Sequence, residues 1–205
     1  VRAGNPVRKD LEECSLTRGQ AKKELGFDPE RLLVLSVGGS LGARTVNEAI
    51  AASLPVIAEK GAQLMWQTGR YGADHFREVA SGHDNVKADT FITRMDLAYR
   101  AADLVVSRAG AGTISELQIL GKPVILIPSP NVAEDHQRHN AEALSSVGAA
   151  RMILDKDAVA SLPAEIAALL DSEDARVDLS EKISGMAMHD SDEQIVDKII
   201  EIIQR

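Results

Sequence analysis

Aromatic residues, cysteine and positive charge are all scarce in this chain, and each scarcity excludes something. Only 3% of the 205 residues are Phe, Trp or Tyr, so the core has to be aliphatic, a composition suited to parallel strands covered by helices. The single cysteine, Cys14, excludes an intramolecular disulfide and a cysteine-built zinc site and fits a reducing compartment. Basic residues number 23 against 31 acidic ones, a formal charge of -8, the wrong sign for a general nucleic-acid binder. No nucleic-acid partner is expected, and any phosphate has to be held locally. No apolar run approaches the ~18 residues of a membrane span, and no charged-then-apolar leader is visible. The chain opens Val1-Arg2-Ala3 rather than with Met, which sets up the expectation of a piece cut from a longer protein near a domain boundary.

What is present is a regular alternation. Hydrophobic residues make up 44% of the chain, enough for a real core. After a mixed, polar start with GNPVR at 4–8, a helical stretch over 17–25 and a turn at FDPE, strand candidates fall at 32–37, 62–67, 85–91, 103–108, 123–129 and 150–153. Helical spacing falls between them, over 43–60 with Pro55 as a kink or break, 72–80, 94–101, 112–120 and 134–148, and the remainder reads as helices. That order predicts an α/β fold, a Rossmann-like, doubly wound parallel sheet with right-handed crossovers. The last helix, 190–204, carries Ile195, Val196, Ile199, Ile200, Ile202 and Ile203. It packs on its own domain by ordinary amphipathic logic, or part of it docks elsewhere.

Three strand ends are chemically unusual, and in an open parallel sheet the ligand crevice lies at those ends. The first is VGGSLGA, 37–43. Its glycines allow positive φ and close backbone approach to an anion, and Ser40 adds a hydroxyl. No Lys-Ser/Thr follows, so it is not a P-loop. A plain tight turn also explains one or two glycines. The second, SRAGAGTISE, 107–116, nearly matches a dinucleotide fingerprint, but the next strand ends in Pro128 and Ser129 rather than an acidic residue, which argues against a nicotinamide enzyme. Glu116 lies where it can reach the vicinal hydroxyls of a ribose, or serves only to balance the helix dipole. The third, PSPNVAEDHQRHNA, 128–141, crowds His136, Gln137, His139 and Asn140 at a helix start. Two histidines three apart hint at a metal, but no third ligand has suitable spacing, so none is expected. Gln137 and Asn140 offer what sugar hydroxyls require.

Taken together and in this order, GNPVR, GGSLGA, FITRM, SRAGAGTISE and DHQRHNA resemble the C-terminal half of the MurG family. These are bacterial UDP-N-acetylglucosamine:N-acetylmuramyl-(pentapeptide) pyrophosphoryl-undecaprenol N-acetylglucosaminyltransferases. The resemblance runs from about residue 4 to 150 and more loosely to the end. It implies the GT-B arrangement of two facing Rossmann-like domains, with 1–30 as a lead-in from the interdomain linker, 31–188 as the UDP-sugar-binding domain and 189–205 as a C-terminal helix for which docking on the absent N-terminal domain is one of the two open readings.

By that resemblance Arg8, Gly39, Ser40 and Gly42 are donor-side contacts, with Ser40 and its glycines near the diphosphate. The Ile92 backbone reads the uracil edge. Arg108, Gly112 and Thr113 belong to the loop and helix start beside the phosphates, Glu116 holds the uridine ribose, and His136 and Gln137 meet the sugar. The chain departs from the family at His136, where Gln is common, at Ala109 for Ser, at Gly112 for a bulkier apolar residue and at Leu41 for Gln.

The implied reaction is inverting transfer of N-acetylglucosamine from UDP-N-acetylglucosamine to lipid I, giving lipid II. The donor is a substrate, with no tightly bound cofactor and no metal. The general base and the lipid I site lie in the N-terminal half, so no catalytic residue is expected here and the chain alone is expected not to turn over. The resemblance places the full-length protein on the cytoplasmic side of the inner membrane as a peripheral enzyme, this chain itself being soluble. Another UDP-sugar enzyme of GT-B architecture, such as a 2-epimerase or glycolipid transferase, and a noncatalytic nucleotide-binding module stay open as readings.

Overall fold

The computed structural model describes residues 4–204. Val1 to Ala3, the head of the expected lead-in, and Arg205 lie outside the described residues. Two short helices come first, α1 (Lys9–Glu12) and α2 (Arg18–Glu24). Thr17 and Gln20 close α2 with a reciprocal capping box, each side chain accepting from the other's backbone N–H. The alternation then runs β1 (Leu33–Val37), α3 (Arg44–Glu59), β2 (Gln63–Gln67), α4 (Ala73–Ser81), β3 (Val86–Asp89), α5 (Met95–Ala101) and β4 (Leu104–Ser107). It continues through α6 (Ala111–Ile119), β5 (Val124–Leu126), α7 (His136–Ser145), β6 (Arg151–Met152), α8 (Ala158–Asp171), α9 (Glu173–Ser184) and α10 (Ser191–Ile203).

The strands form one six-stranded sheet in the order β3-β2-β1-β4-β5-β6, with every pairing parallel. This is the doubly wound architecture that the alternation predicts. Both faces are buried, and the two-residue period of the strands sorts their side chains between two cores. Leu33, Leu35, Met65, Val105, Val124 and Leu126 join α5, α6 and α7 on one face. Val34, Leu64, Trp66, Leu104, Val106 and Ile125 join α3, α4 and α8 on the other. Because the strand order reverses between β1 and β4, the chain leaves their carboxyl ends in opposite directions and opens a crevice there.

Two local expectations are corrected, and a third that stood open is narrowed. α3 runs unbroken through Pro55. Proline costs about 3 kcal/mol inside a helix, but Val46, Ile50, Leu54 and Ile57 are buried along α3, and side chains of this kind contribute roughly 1.5–3 kcal/mol each. α7 starts at His136 rather than at 134, because Glu134 and Asp135 take left-handed φ of 53° and 50°. Along α10, Ile202 is 63% exposed and Ile203 77%, so packing on its own domain does not account for its apolar stripe.

At the amino ends of β1 and β4 the sheet is tied by Asp103. Its carboxylate accepts from the Leu33 N–H at 2.8 Å, pairs with the Lys22 ammonium at 2.7 Å and receives Arg18 at 2.7 Å. Asp103 and Lys22 are both buried, so removing Asp103 leaves the Lys22 charge buried without its partner, typically costing ~3–5 kcal/mol. Lys122, between α6 and β5, is buried nearby and donates to the Ala102 carbonyl at 3.0 Å. Burial, then the charge of Arg18, lowers its pKa to about 7. In the unfolded chain a lysine titrates near ~10.4. Between those values the unfolded state binds a proton that the folded state lacks, so this group makes stability rise with pH from about 7 upward. Urea unfolding at pH 7 and 9.5 should show that rise in the unsubstituted chain and its loss in Lys122→Met, with a slope difference of up to ~1.4 kcal/mol per pH unit.

Candidate functional site

The crevice is built from two helix starts left open. α3 follows the β1 loop with Ala43 at its N-cap, and α6 follows the β4 loop with Gly110 there; neither has a side-chain cap or an acidic residue in its first turn. Among the described residues, the backbone N–H groups of Arg44, Thr45 and Val46 in α3, and of Ala111, Gly112 and Thr113 in α6, have no protein acceptor. α2 and α9 are capped by Thr17 and Ser172, while α7 and α8 also start without a side-chain cap or an acidic first turn. Each open end carries about half a positive charge, and two of them at adjacent strand ends make a place for an anion.

The glycines of the β1 loop divide their work. Gly39 has a φ of 84° and would meet nothing within 4 Å with a Cβ, leaving its backbone and the exposed Ser40 open to the crevice. Gly42, at a φ of 87°, faces the other way, and its Cβ would sit 2.5 Å from the Thr68 carbonyl. A Cβ on Gly69, in the β2 loop, would overlap the N and Cα of Gly42. The two loops therefore touch backbone to backbone, joined also by Arg70 N–H to the Ser40 carbonyl at 3.2 Å and Tyr71 N–H to the Leu41 carbonyl at 3.0 Å. Asn47 of α3 braces this contact from below, donating to the Thr68 carbonyl at 2.7 Å and accepting from the Trp66 indole at 2.9 Å.

The β4 and β5 loops are held by α7. Gln137 Oε1 accepts from the N–H of Ala109 at 3.2 Å and of Ser129 at 3.0 Å, while Asn140 donates to the Ala109 carbonyl at 3.1 Å. Gln137, expected at a sugar, thus spends its oxygen on positioning the glycine loop and keeps its amide NH2 for another partner. His136 is exposed beside it at the start of α7. The two left-handed residues before it, Glu134 and Asp135, hold sparsely populated conformations of the kind that cluster at ligand clamps. Arg108 turns away from the open loop. Its guanidinium donates to the Ile127 carbonyl at 3.1 Å and the Pro128 carbonyl at 3.3 Å and pairs with Asp155, which also accepts from Thr45 at 2.9 Å.

Gly112 faces open space, since a Cβ there would meet nothing within 4 Å, and Thr113 follows it in the first turn of α6. Glu116 lies one turn further along and accepts from the Tyr99 hydroxyl at 3.0 Å. Burial, then the charge of Glu116, keeps the Tyr99 phenol far above its ordinary pKa, and Arg8 is close enough for its charge to oppose that shift. GNPVR reaches this point because Asn5 donates to Ser115 of α6 at 3.2 Å. Ile92 is buried, and its N–H donates to Gln67 at 3.1 Å, so that donor is engaged from within the protein. Among the described residues no three His, Cys, Asp or Glu side chains gather as metal ligands.

The structure therefore brings GGSLGA, SRAGAGTISE, GNPVR and the start of α7 to one end of the sheet, as the sequence order requires. Tyr99, Gln67 and Asn47 were missed by sequence reasoning. Tyr99 carried a signal, since a tyrosine on an otherwise Ala- and Leu-rich buried helix face needs a partner for its hydroxyl. Gln67 and Asn47 carried none that local pattern reveals.

The glycine contact generates a direct test. Gly69→Ala should cost more than about 3 kcal/mol, combining backbone overlap with left-handed strain. Gly61→Ala, at a φ of 63° with nothing within 4 Å of its Cβ, should cost only the strain, about 1–2 kcal/mol. Urea unfolding of the pair checks the difference.

Comparison with known proteins bears on this arrangement. The sequence model of the glycosyltransferase family 28 C-terminal domain matches residues 33–195. A UDP-N-acetylglucosamine--N-acetylmuramyl-(pentapeptide) pyrophosphoryl-undecaprenol N-acetylglucosamine transferase of Parabacteroides distasonis is 47% identical over 211 aligned residues, covering 100% of this chain and 56% of its own length. One so described from Porphyromonas gingivalis strain W83 is 46% identical, with 100% and 55% covered. Among solved structures, Acinetobacter baumannii MurG superposes with a TM-score of 0.76 at 25% identity, covering 94% of this chain and 55% of that one. The chain spans about half the length of the curated relatives it matches.

Proposed function

The chain belongs to the family of glycosyltransferase family 28 C-terminal domains, and on that premise we propose that it is the donor-binding part of an N-acetylglucosaminyltransferase. In this reading UDP-N-acetylglucosamine lies along the carboxyl ends of β1, β4 and β5. The observation that carries it is the pair of open helix starts at α3 and α6, whose free N–H groups and uncompensated dipoles suit a diphosphate. Gly39 and Ser40 line that anion from one side, and Gly112 and Thr113 from the other. Gly42 and Arg108 act by holding the loops that do so.

Glu116 accepts from the ribose hydroxyls, with Arg8 nearby. The uracil edge meets the Ile92 backbone, the carbonyl being the better placed group because the N–H already donates to Gln67. His136 and the Gln137 amide face the sugar. The relatives' names supply transfer of N-acetylglucosamine to an N-acetylmuramyl-(pentapeptide) pyrophosphoryl-undecaprenol, and the family resemblance adds that the transfer inverts, with lipid I as acceptor and lipid II as product, as the reaction proposed for the whole protein. Here the chain's part is to bind the donor and to stabilise the departing UDP with helix termini, a charge-stabilising role that needs preorganised donors rather than a proton carrier. The base that activates the acceptor hydroxyl and the lipid-binding surface belong, in this proposal, to the part of the protein outside this chain. Contact with the cytoplasmic membrane face belongs there too, and the exposed stripe of α10, from Val196 to Ile203, docks on it.

Calorimetric titration of the chain with UDP-N-acetylglucosamine, UDP, UDP-glucose and NAD tests the reading. Uridine nucleotides should bind and NAD should not. Glu116→Ala should weaken UDP by at least about tenfold, the scale of a lost hydrogen bond to a charged group. Binding of NAD in preference to UDP, or steady transfer to lipid I by these residues alone, would sink it.

A further inference from the structure

We propose that Tyr99 is a positioning residue that makes the site selective for ribose over deoxyribose, by holding one oxygen of Glu116 so that the other is presented to the sugar diol. The proposal rests on the donor-site reading above and assigns a role to a residue that lies beneath the site rather than in it. Tyr99 is 1% exposed, on α5, with its ring in the core that α5 and α6 share beneath the sheet face. Only its hydroxyl has polar work to do, and that work is the 3.0 Å bond to Glu116 Oε2.

A glutamate on a helix surface normally samples several rotamers, and ordering it on ligand binding has an entropic cost. The bond from Tyr99 removes that freedom in advance, because the phenol is anchored by its packed ring. It also fixes which lone pairs remain. Oε2 is occupied, and among the described residues Oε1 has no hydrogen-bond donor, so Oε1 accepts from the ribose hydroxyls. Since burial and the neighbouring carboxylate keep the phenol protonated, Tyr99 can only donate to Glu116 and never repels it. The half-buried Glu116 of α6 thereby presents a carboxylate with one committed and one free oxygen, a geometry that rewards a vicinal diol and gives nothing to a sugar lacking it.

The test is titration of the chain and of Tyr99→Phe with UDP and with 2′,3′-dideoxy-UDP. The unsubstituted chain should prefer UDP by roughly tenfold or more. Tyr99→Phe should cut that preference about three- to tenfold by weakening UDP while the dideoxy nucleotide binds as before, a pattern that a general loss of structure does not produce. A second readout needs no variant: the chain has 2 tyrosines, so 13Cζ-tyrosine labelling gives a resolved Tyr99 resonance. UDP should shift it more than dideoxy-UDP does. If the unsubstituted chain binds no UDP, the donor-site reading falls and takes this inference with it. If UDP binds but Tyr99→Phe keeps the full preference, or the Tyr99 resonance responds equally to both nucleotides, Tyr99 has no such role and the donor site stands.

Discussion

Two helices that begin at neighbouring strand ends with bare N–H groups are the constraint around which the rest of this molecule is arranged. α3 and α6 each lose the acidic first turn and the Ser, Thr or Asp cap that helices ordinarily carry. Leaving them open sacrifices about 1 kcal/mol of capping at each end. The fold tolerates this because α3 is fastened by packing on α8 and on the sheet, and α6 by Ile114 and Leu117 in the opposite core. Side-chain burial on that scale outweighs a missing cap several times over.

The loops leading to those helix starts are correspondingly stiff. Each is fixed by groups outside itself: the β1 loop by backbone contact with Gly69 and by Asn47, the β4 loop by Gln137 and Asn140. At the opposite end of the same strands, Asp103 ties β1 to β4 and to α2. The reversal of strand order, which creates the crevice, is thus pinned both where ligand would sit and where it cannot reach. Arg108 illustrates the difference between position and contact. It stands in the glycine loop as the sequence places it, yet its guanidinium serves Asp155 and two carbonyls.

Much of this was legible beforehand, for identifiable reasons. Strand periods and glycine or proline stops depend on local chemistry, so all six strands of the sheet and the helices between them fall within a few residues of where the pattern puts them. The glycine loops after β1 and β4 could be located because a strand end followed by glycines and a helix has few uses, whereas the contacts assigned to Gly39, Gly112 and Thr113 rest on the family resemblance. The left-handed pair at Glu134 and Asp135 was not legible, since neither residue type demands positive φ. Nor was the spending of the Gln137 oxygen on two backbone N–H groups from separate loops, which depends on where β4 and β5 end relative to α7. The apolar stripe of α10 left two readings open, packing on its own domain or docking elsewhere, for a complementary reason. An apolar stripe announces that something will cover it and does not say what.

The backbone contact between Gly42 and Gly69 has an evolutionary reading. Where two loops meet through main-chain atoms, no side-chain exchange can reshape the junction gradually, because the first added carbon on either glycine already collides. The neighbouring end of the crevice is different, resting on the His136 and Gln137 side chains beyond an irregular turn. If the donor lies as proposed, a lineage built on this scaffold is free to drift at the end given to the sugar and is frozen at the end given to the phosphates. Proteins descended from such a chain would therefore diversify in what they transfer sooner than in the nucleotide diphosphate that carries it.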